Sequence, residues 1–183
     1  RILAHMSTES RWDARFAEQQ QPGPVTAVVS TQQHFLPETG TALDLACGLS
    51  GNGQFFAQRG LQTQVWDSST VAVKKQNLWA SDLELAAHLR DCEKNPPGSA
   101  EFDVISVAHF LHRPSCPQLA AALKTQGLLF YQTFNNTGDA NGGPSNPAFL
   151  LEQGELLELF AGLEVLFYCE NQAGRSQLVA RKI

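Results

Sequence analysis

Asp44-Leu45-Ala46-Cys47-Gly48-Leu49-Ser50-Gly51-Asn52-Gly53 constrains this chain more than any other stretch. A short apolar run carrying one carboxylate breaks into a glycine-rich turn, and a helix-like segment follows. Strand, tight glycine turn and helix in that order form the entry to a nucleotide-binding βα unit. Asp44 then divides the possible ligands into two kinds. In a dinucleotide site the turn amides and the helix N-terminus approach a pyrophosphate, and an anion at the end of the strand opposes it. A nucleotide-like ligand with an ammonium group and no phosphate is instead helped by Asp44, directly or through a water.

The rest of the chain repeats the alternation. Strands are expected at 41–46, 61–66, 83–89, 102–108 and 128–134, with helices at 54–59, 70–79, 114–124 and 155–160 between and after them. Ser68 or Ser69 is placed to N-cap the second of these helices. Residues 165–170 and 176–181 read as two further strands, and their five-residue link implies an antiparallel hairpin. The segment 135–147, with three glycines, two prolines and few apolar residues, is expected to be a mobile surface loop. The βα alternation predicts an α/β, doubly wound, Rossmann-like sheet in three layers, with ligands at the C-terminal strand ends.

At 183 residues there is room for one domain of ordinary size. Residues 1–5, before Met6, read as a cloning remnant; 6–40 as a flap and lead-in helices; 41–183 as the ligand-binding domain. A net charge of −5 argues against a broad phosphate-binding surface, so the expected partner is a small molecule, with no nucleic acid. No apolar stretch approaches the roughly 20 residues needed to span a bilayer, so no membrane is expected. Four scattered cysteines without a C-x-x-C pair fit reduced thiols in a cytoplasm rather than a disulfide framework. The expectation is a cytoplasmic monomer or homodimer.

Three aspartates fall at predicted strand ends: Asp44, Asp67 and Asp91. Asp67 follows Gly48 by 19 residues, close to the offset of about 20 at which a strand-2 acid accepts from ribose hydroxyls; its alternative role is helix capping. Asp91, or the backbone at Cys92, would border an adenine, the alternative being a solvated turn aspartate. Leu43 to Gly48, Val65-Trp66-Asp67-Ser68, Phe102-Asp103-Val104-Ile105 and Gly127 to Phe134 resemble successive motifs of class I S-adenosylmethionine (SAM)-dependent methyltransferases. Asn146 to Leu151, Gly154 to Phe160 and Trp12-Asp13-Ala14-Arg15-Phe16 resemble the small bacterial tellurite-resistance branch of that family. The resemblance implies a seven-stranded sheet with an antiparallel last strand. It also implies SAM as cofactor, held by Asp44, Ala46, Gly48, Asn52, Asp67, Ser68, Asp91, Cys92 and Ala108. The implied activity is methyl transfer to a small nucleophile, a chalcogen oxyanion or thiol-like compound. Ala46 and Ser50 depart from the family by standing where glycine is frequent, and Gly51 stands where an arginine is common.

Methyl transfer needs alignment and exclusion of water rather than a metal. The residues after the fourth strand would lie beside the methyl group, making His109 and Arg113 the catalytic candidates. His109 would act as general base or only hydrogen-bond nearby backbone; Arg113 would bind an anionic acceptor or a surface carboxylate. His112 reads as structural. His109-x-x-His112 lacks the spacing of a zinc motif, so no metal is expected. Phe110, Tyr131 and Phe134 are candidate walls, with core packing the alternative for one of the last two. Trp12, Arg15 and Phe16 would form a flap or an amphipathic surface helix, and Cys47 reads as a small buried residue. Asn95-Pro96-Pro97-Gly98 resembles the N-P-P-aromatic motif of amino-methylating nucleic-acid enzymes, but it precedes the fourth strand and Gly98 removes the aromatic residue. Two other readings stay open: a SAM-binding module without turnover, and an NAD-dependent enzyme suggested by Ala46-x-Gly48-x-x-Gly51.

Overall fold

The computed structural model describes residues 8–137, 143–171 and 173–183. Its centre is β1, Thr41–Leu45, a strand buried on both faces from Ala42 onward, as expected where helices cover both sides of a parallel sheet. β2 (Gln62–Asp67) and β4 (Phe102–Ala108) flank β1 in parallel, and β3 (Leu85–Leu89) forms the edge beyond β2. On the other side come β5 (Leu123–Phe134), β7 (Arg175–Arg181) and β6 (Glu164–Asn171). The order is β3-β2-β1-β4-β5-β7-β6, and β7 alone runs antiparallel to its neighbours. This is the seven-stranded doubly wound sheet expected from the sequence.

Side-chain alternation divides the core into two layers. Leu43, Leu45, Ile105, Val107, Leu129 and Tyr131 face one layer, packed with Leu119 of α5 (Cys116–Ala122) and Leu156 of α6 (Glu155–Leu159). Ala42, Val104, Leu128 and Phe130 face the other, with Val28 and Val29 of α2 (Ala27–Thr31) and Phe56 of α3 (Asn52–Gln58). Phe56 is wholly buried, and its truncation to alanine carries a cost of about 3–5 kcal/mol. Helix α4 (Thr70–Trp79) is N-capped by Ser69, whose hydroxyl accepts from the Ala72 amide. A further helix, α1 (Thr8–Ala17), lies against α4.

Several expectations shift. The helix expected at 114–124 is a 3-10 turn, Arg113–Ser115, followed by α5, and it ends at Ala122. Leu123 already pairs with Phe102, so β5 begins five residues before the expected Leu128 and is interrupted between these pairings. At this early exit the Lys124 ammonium reaches Asp103 and Thr41 at the base of the sheet. The loop expected at 135–147 is tied down at its first residue: Asn135 is buried, bridges to Leu151 and donates to Ser176. Residues 1–5 and the middle of that loop lie outside the described residues. Among the described residues, no helix is long and apolar enough to cross a membrane.

Candidate functional site

The C-terminal ends of β1, β2 and β4 meet at the glycine turn. Ala46 and Gly48 both adopt positive φ, 53° and 49°, so the frequent glycine at position 46 in the resembling family has a backbone reason. Gly53 lets α3 approach β2: a Cβ there would stand 2.2 Å from Val65 Cγ1. The turn amides are largely used within the chain. Gly48 N–H donates to Asp67 Oδ2 at 2.7 Å, Ser50 N–H to the Cys47 carbonyl at 3.0 Å and Gly51 N–H to the Pro24 carbonyl at 3.3 Å. Gln76 of α4, buried, donates to the Gly48 and Ser50 carbonyls and fixes the turn from below.

Asp44 is buried, and its register opposite Ser106 of β4 explains its first contact. Ser106 Oγ donates to Asp44 Oδ1 at 2.5 Å and Ser50 Oγ to Oδ2 at 2.7 Å. Burial outweighs both bonds and lifts its pKa from the ordinary 3.8 to about 6. Asn52 lies beside it. The Asn52 Oδ1 accepts from the Thr26 amide and hydroxyl, whereas its buried Nδ2 has no hydrogen-bond partner. Asp67 accepts from both Gly48 N–H and Ser69 N–H, and burial raises its pKa too. Two buried acids thus sit side by side, with the amides that would greet a phosphate already engaged.

The remaining candidates divide clearly. Ser68 is half-buried beside Asp67. Asp91 takes its turn role: it accepts from the Glu93 and Lys94 amides and pairs with the Lys94 ammonium. Cys92 is buried, and its thiol lies beside the Ala46 backbone. Cys47 is buried with its pKa pushed far up, which makes it an inert thiol. Ala108 ends β4, and His109 follows at φ 56°, its amide bonded to the Gln132 carbonyl.

Three candidates need correction. Arg113 is no free anion receptor: its guanidinium pairs with Glu155 and donates to the Ala148 and Leu150 carbonyls, so all its nitrogens are occupied. Tyr131 is no pocket wall, being wholly buried with its hydroxyl on the Phe110 carbonyl and its ring against Phe160. Phe110, half-buried, packs against the same core layer. His112 bonds Ser115 Oγ at the start of α5 and is structural.

His109 instead faces groups that its position in the sequence does not suggest. Its ring lies 5.2 Å from that of Phe134, and the Arg175 guanidinium stacks on the same Phe134 at 3.8 Å. Desolvation by the surrounding protein, then the charges of Arg175 in the hairpin and Arg15 of α1, hold the imidazole pKa below its ordinary value. Trp12 and Phe16 stack on each other, and Arg15 lies over Trp12. The site therefore has an acidic end at Asp44 and Asp67 and a cationic end at Arg15 and Arg175, with His109 beside them. Among the described residues no cluster of His, Cys, Asp and Glu is arranged to hold a metal.

No protein-family model matches the chain, and a comparison with curated proteins found no match. Solved structures do match. TehB from Haemophilus influenzae superposes with a TM-score of 0.70 at 20% identity over 85% of this chain, which spans only 61% of that protein. A SAM-dependent methyltransferase from Aquifex aeolicus gives 0.72 at 14% identity, covering 93% of this chain and 98% of its own. A TehB-like SAM-dependent methyltransferase from Corynebacterium glutamicum gives 0.68 at 17%, covering 94% and 95%. By architecture, this chain has the class I SAM-dependent methyltransferase fold.

Proposed function

We propose that the protein is a methyltransferase that uses SAM to methylate a small anionic nucleophile, of the chalcogen oxyanion or thiol-like kind. The observation that carries this reading is Asp44, a buried carboxylate with a raised pKa at the end of β1, beside a turn whose amides serve the chain's own acceptors. A positive ligand group relieves that burial, whereas a pyrophosphate would face two buried acids. The residues fit SAM: Asp44 for the ammonium, Asp67 for the ribose, and Ala46, Gly48, Asn52, Ser68, Cys92 and Ala108 around them.

When bound, SAM supplies a methyl group on a sulfonium that departs as a neutral thioether. The chain contributes position and charge. Arg15 and Arg175, neither of which pairs with a carboxylate among the described residues, draw an anionic acceptor to the end of β4. The depressed pKa keeps the His109 imidazole neutral at pH 7, ready to take a proton from an acceptor that carries one. Phe134 lies against both groups and positions them at the rim of the site.

Calorimetry with SAM, S-adenosylhomocysteine and NAD tests the cofactor. SAM and homocysteine product should bind and NAD should not, and NAD binding without SAM would overturn the assignment. A panel of acceptors then tests turnover: consumption of methyl groups with anionic nucleophiles is expected. SAM binding with no consumption across the panel would leave a binding module instead.

A further inference from the structure

Helix α1 touches the cofactor turn, and the charge of its Arg15 reaches His109 at the other end of the site, while the helix is weakly attached to the rest of the molecule. Of residues 11–17 none is buried, and only Trp12, Asp13 and Phe16 are half-buried. Its anchors are nevertheless specific. Asp13 Oδ1 accepts from Ser69 Oγ at 2.5 Å and from the Val71 amide at 3.2 Å, and Ser69 N–H is itself bonded to Asp67. The Phe16 ring lies on the glycine turn, so that a Cβ on Gly48 would stand 2.9 Å from it. Lys75 of α4 donates to three carbonyls at the helix end, Phe16 and Ala17 at 2.8 Å and Gln19 at 2.5 Å. Between these anchors Arg15 lies close enough to His109 to influence its protonation.

We propose that α1 is a lid that couples the two ligands: seated on Gly48 and Ser69 it closes over the cofactor and, in the same movement, sets Arg15 at the acceptor end. The inference rests on the SAM reading above. With Phe16 on Gly48 the cofactor turn is covered, so the cofactor enters while α1 is lifted. Arg15 is in place only when α1 is down. Cofactor therefore binds first and the anionic acceptor second. An element with few buried contacts and a handful of polar latches is suited to such opening.

The test uses the full chain, S-adenosylhomocysteine and amide hydrogen exchange across residues 11–20. Binding should slow exchange in that segment, and Lys75→Met should speed ligand release by about tenfold or more, as expected on losing charge-assisted bonds to carbonyls. Phe16→Ala, which removes the cover without touching the Lys75 latch, should also speed release and raise the KM for an anionic acceptor. Should homocysteine product bind with exchange in 11–20 unchanged, or Lys75→Met lower the melting temperature while leaving the release rate alone, α1 is a brace and the lid is refuted. Absence of any binding by the wild-type chain would instead overturn the cofactor reading, and the lid with it.

Discussion

Replacing Asp44 with asparagine should make the protein more stable and less able to bind its cofactor. The carboxylate is buried, and its pKa stands at about 6 instead of 3.8. A raised carboxyl pKa means that the folded state prefers the proton. Its contribution to stability is therefore complete below pH 3.8 and is lost as pH rises through about 6. At 1.36 kcal/mol per pH unit, that interval corresponds to about 3 kcal/mol of destabilisation at pH 7.5. Asparagine has nearly the shape of the protonated acid, and the Ser50 and Ser106 hydroxyls can rotate to meet its amide. Urea unfolding should thus give Asp44→Asn an advantage of about 1–3 kcal/mol at pH 7.5, shrinking toward zero as the pH falls below 3.8. The same variant should bind S-adenosylhomocysteine at least about tenfold more weakly by calorimetry, because the ligand ammonium loses its buried partner. A variant destabilised at pH 7.5 but not below pH 3.8, where Asp44 is protonated, would mean that the charge serves the fold, and the argument for a cationic ligand would fail.

Four other substitutions test separate parts of the structure. Ala46→Gly relieves a residue at φ 53° and should raise stability by about 0.5–1 kcal/mol, measured by denaturant midpoint, the strain relieved exceeding the added chain entropy. Gly53→Ala places a methyl 2.2 Å from Val65 Cγ1 and should cost about 1–3 kcal/mol of stability despite the better helix propensity of alanine; Val65→Ala in the same chain should recover part of it. Arg175→Ala should raise the KM for an anionic acceptor about tenfold or more with little change in stability. Arg113→Ala should do the reverse, costing about 1–2 kcal/mol in thermal unfolding as the half-exposed Glu155 pair and the carbonyl bonds at 148 and 150 are lost, with KM nearly unchanged.

The sheet was readable because each strand holds a short apolar stretch, nearly unbroken in β1 and β4, and its turns carry glycine, proline or a capping serine. β4 falls on its expected residues, and the hairpin pairing of β6 and β7 follows from its short link. The start of β5 was not readable, since Leu-Ala-Ala-Ala-Leu-Lys has strong helix propensity and the contacts made where α5 ends, Leu123 with Phe102 and Lys124 with Asp103, are 21 residues away in sequence. The buried acids showed themselves as carboxylates at strand ends. Arg113 misled because its partner Glu155 is 42 positions distant. Arg175 was passed over as turn sequence because nothing local announces that it stacks on Phe134. Tyr131 alone was correctable from the chain: three positions separate it from Phe134, so on one strand the two point to opposite faces.

Where the chain breaks its own local rules also indicates where it works. Four described non-glycine residues take positive φ: Ala46, Ala100, His109 and Gln126. Gln126 lies in the interrupted start of β5, where its amide meets the Lys182 carbonyl, and Ala100, just before β4, donates its amide to the Ala121 carbonyl of α5, so both serve local joins at the base of the sheet. Ala46 and His109 lie at the opposite end, one residue beyond β1 and one beyond β4. There the same conformational cost turns the backbone sharply out of two adjacent strands, next to a buried acid and two arginines that form no ion pair among the described residues. A fold under selection for stability alone would relax each of these. Strain, unpaired acid and unpaired bases on one rim are the arrangement expected of a site that completes its charge balance only with a cation at one end and an anion at the other.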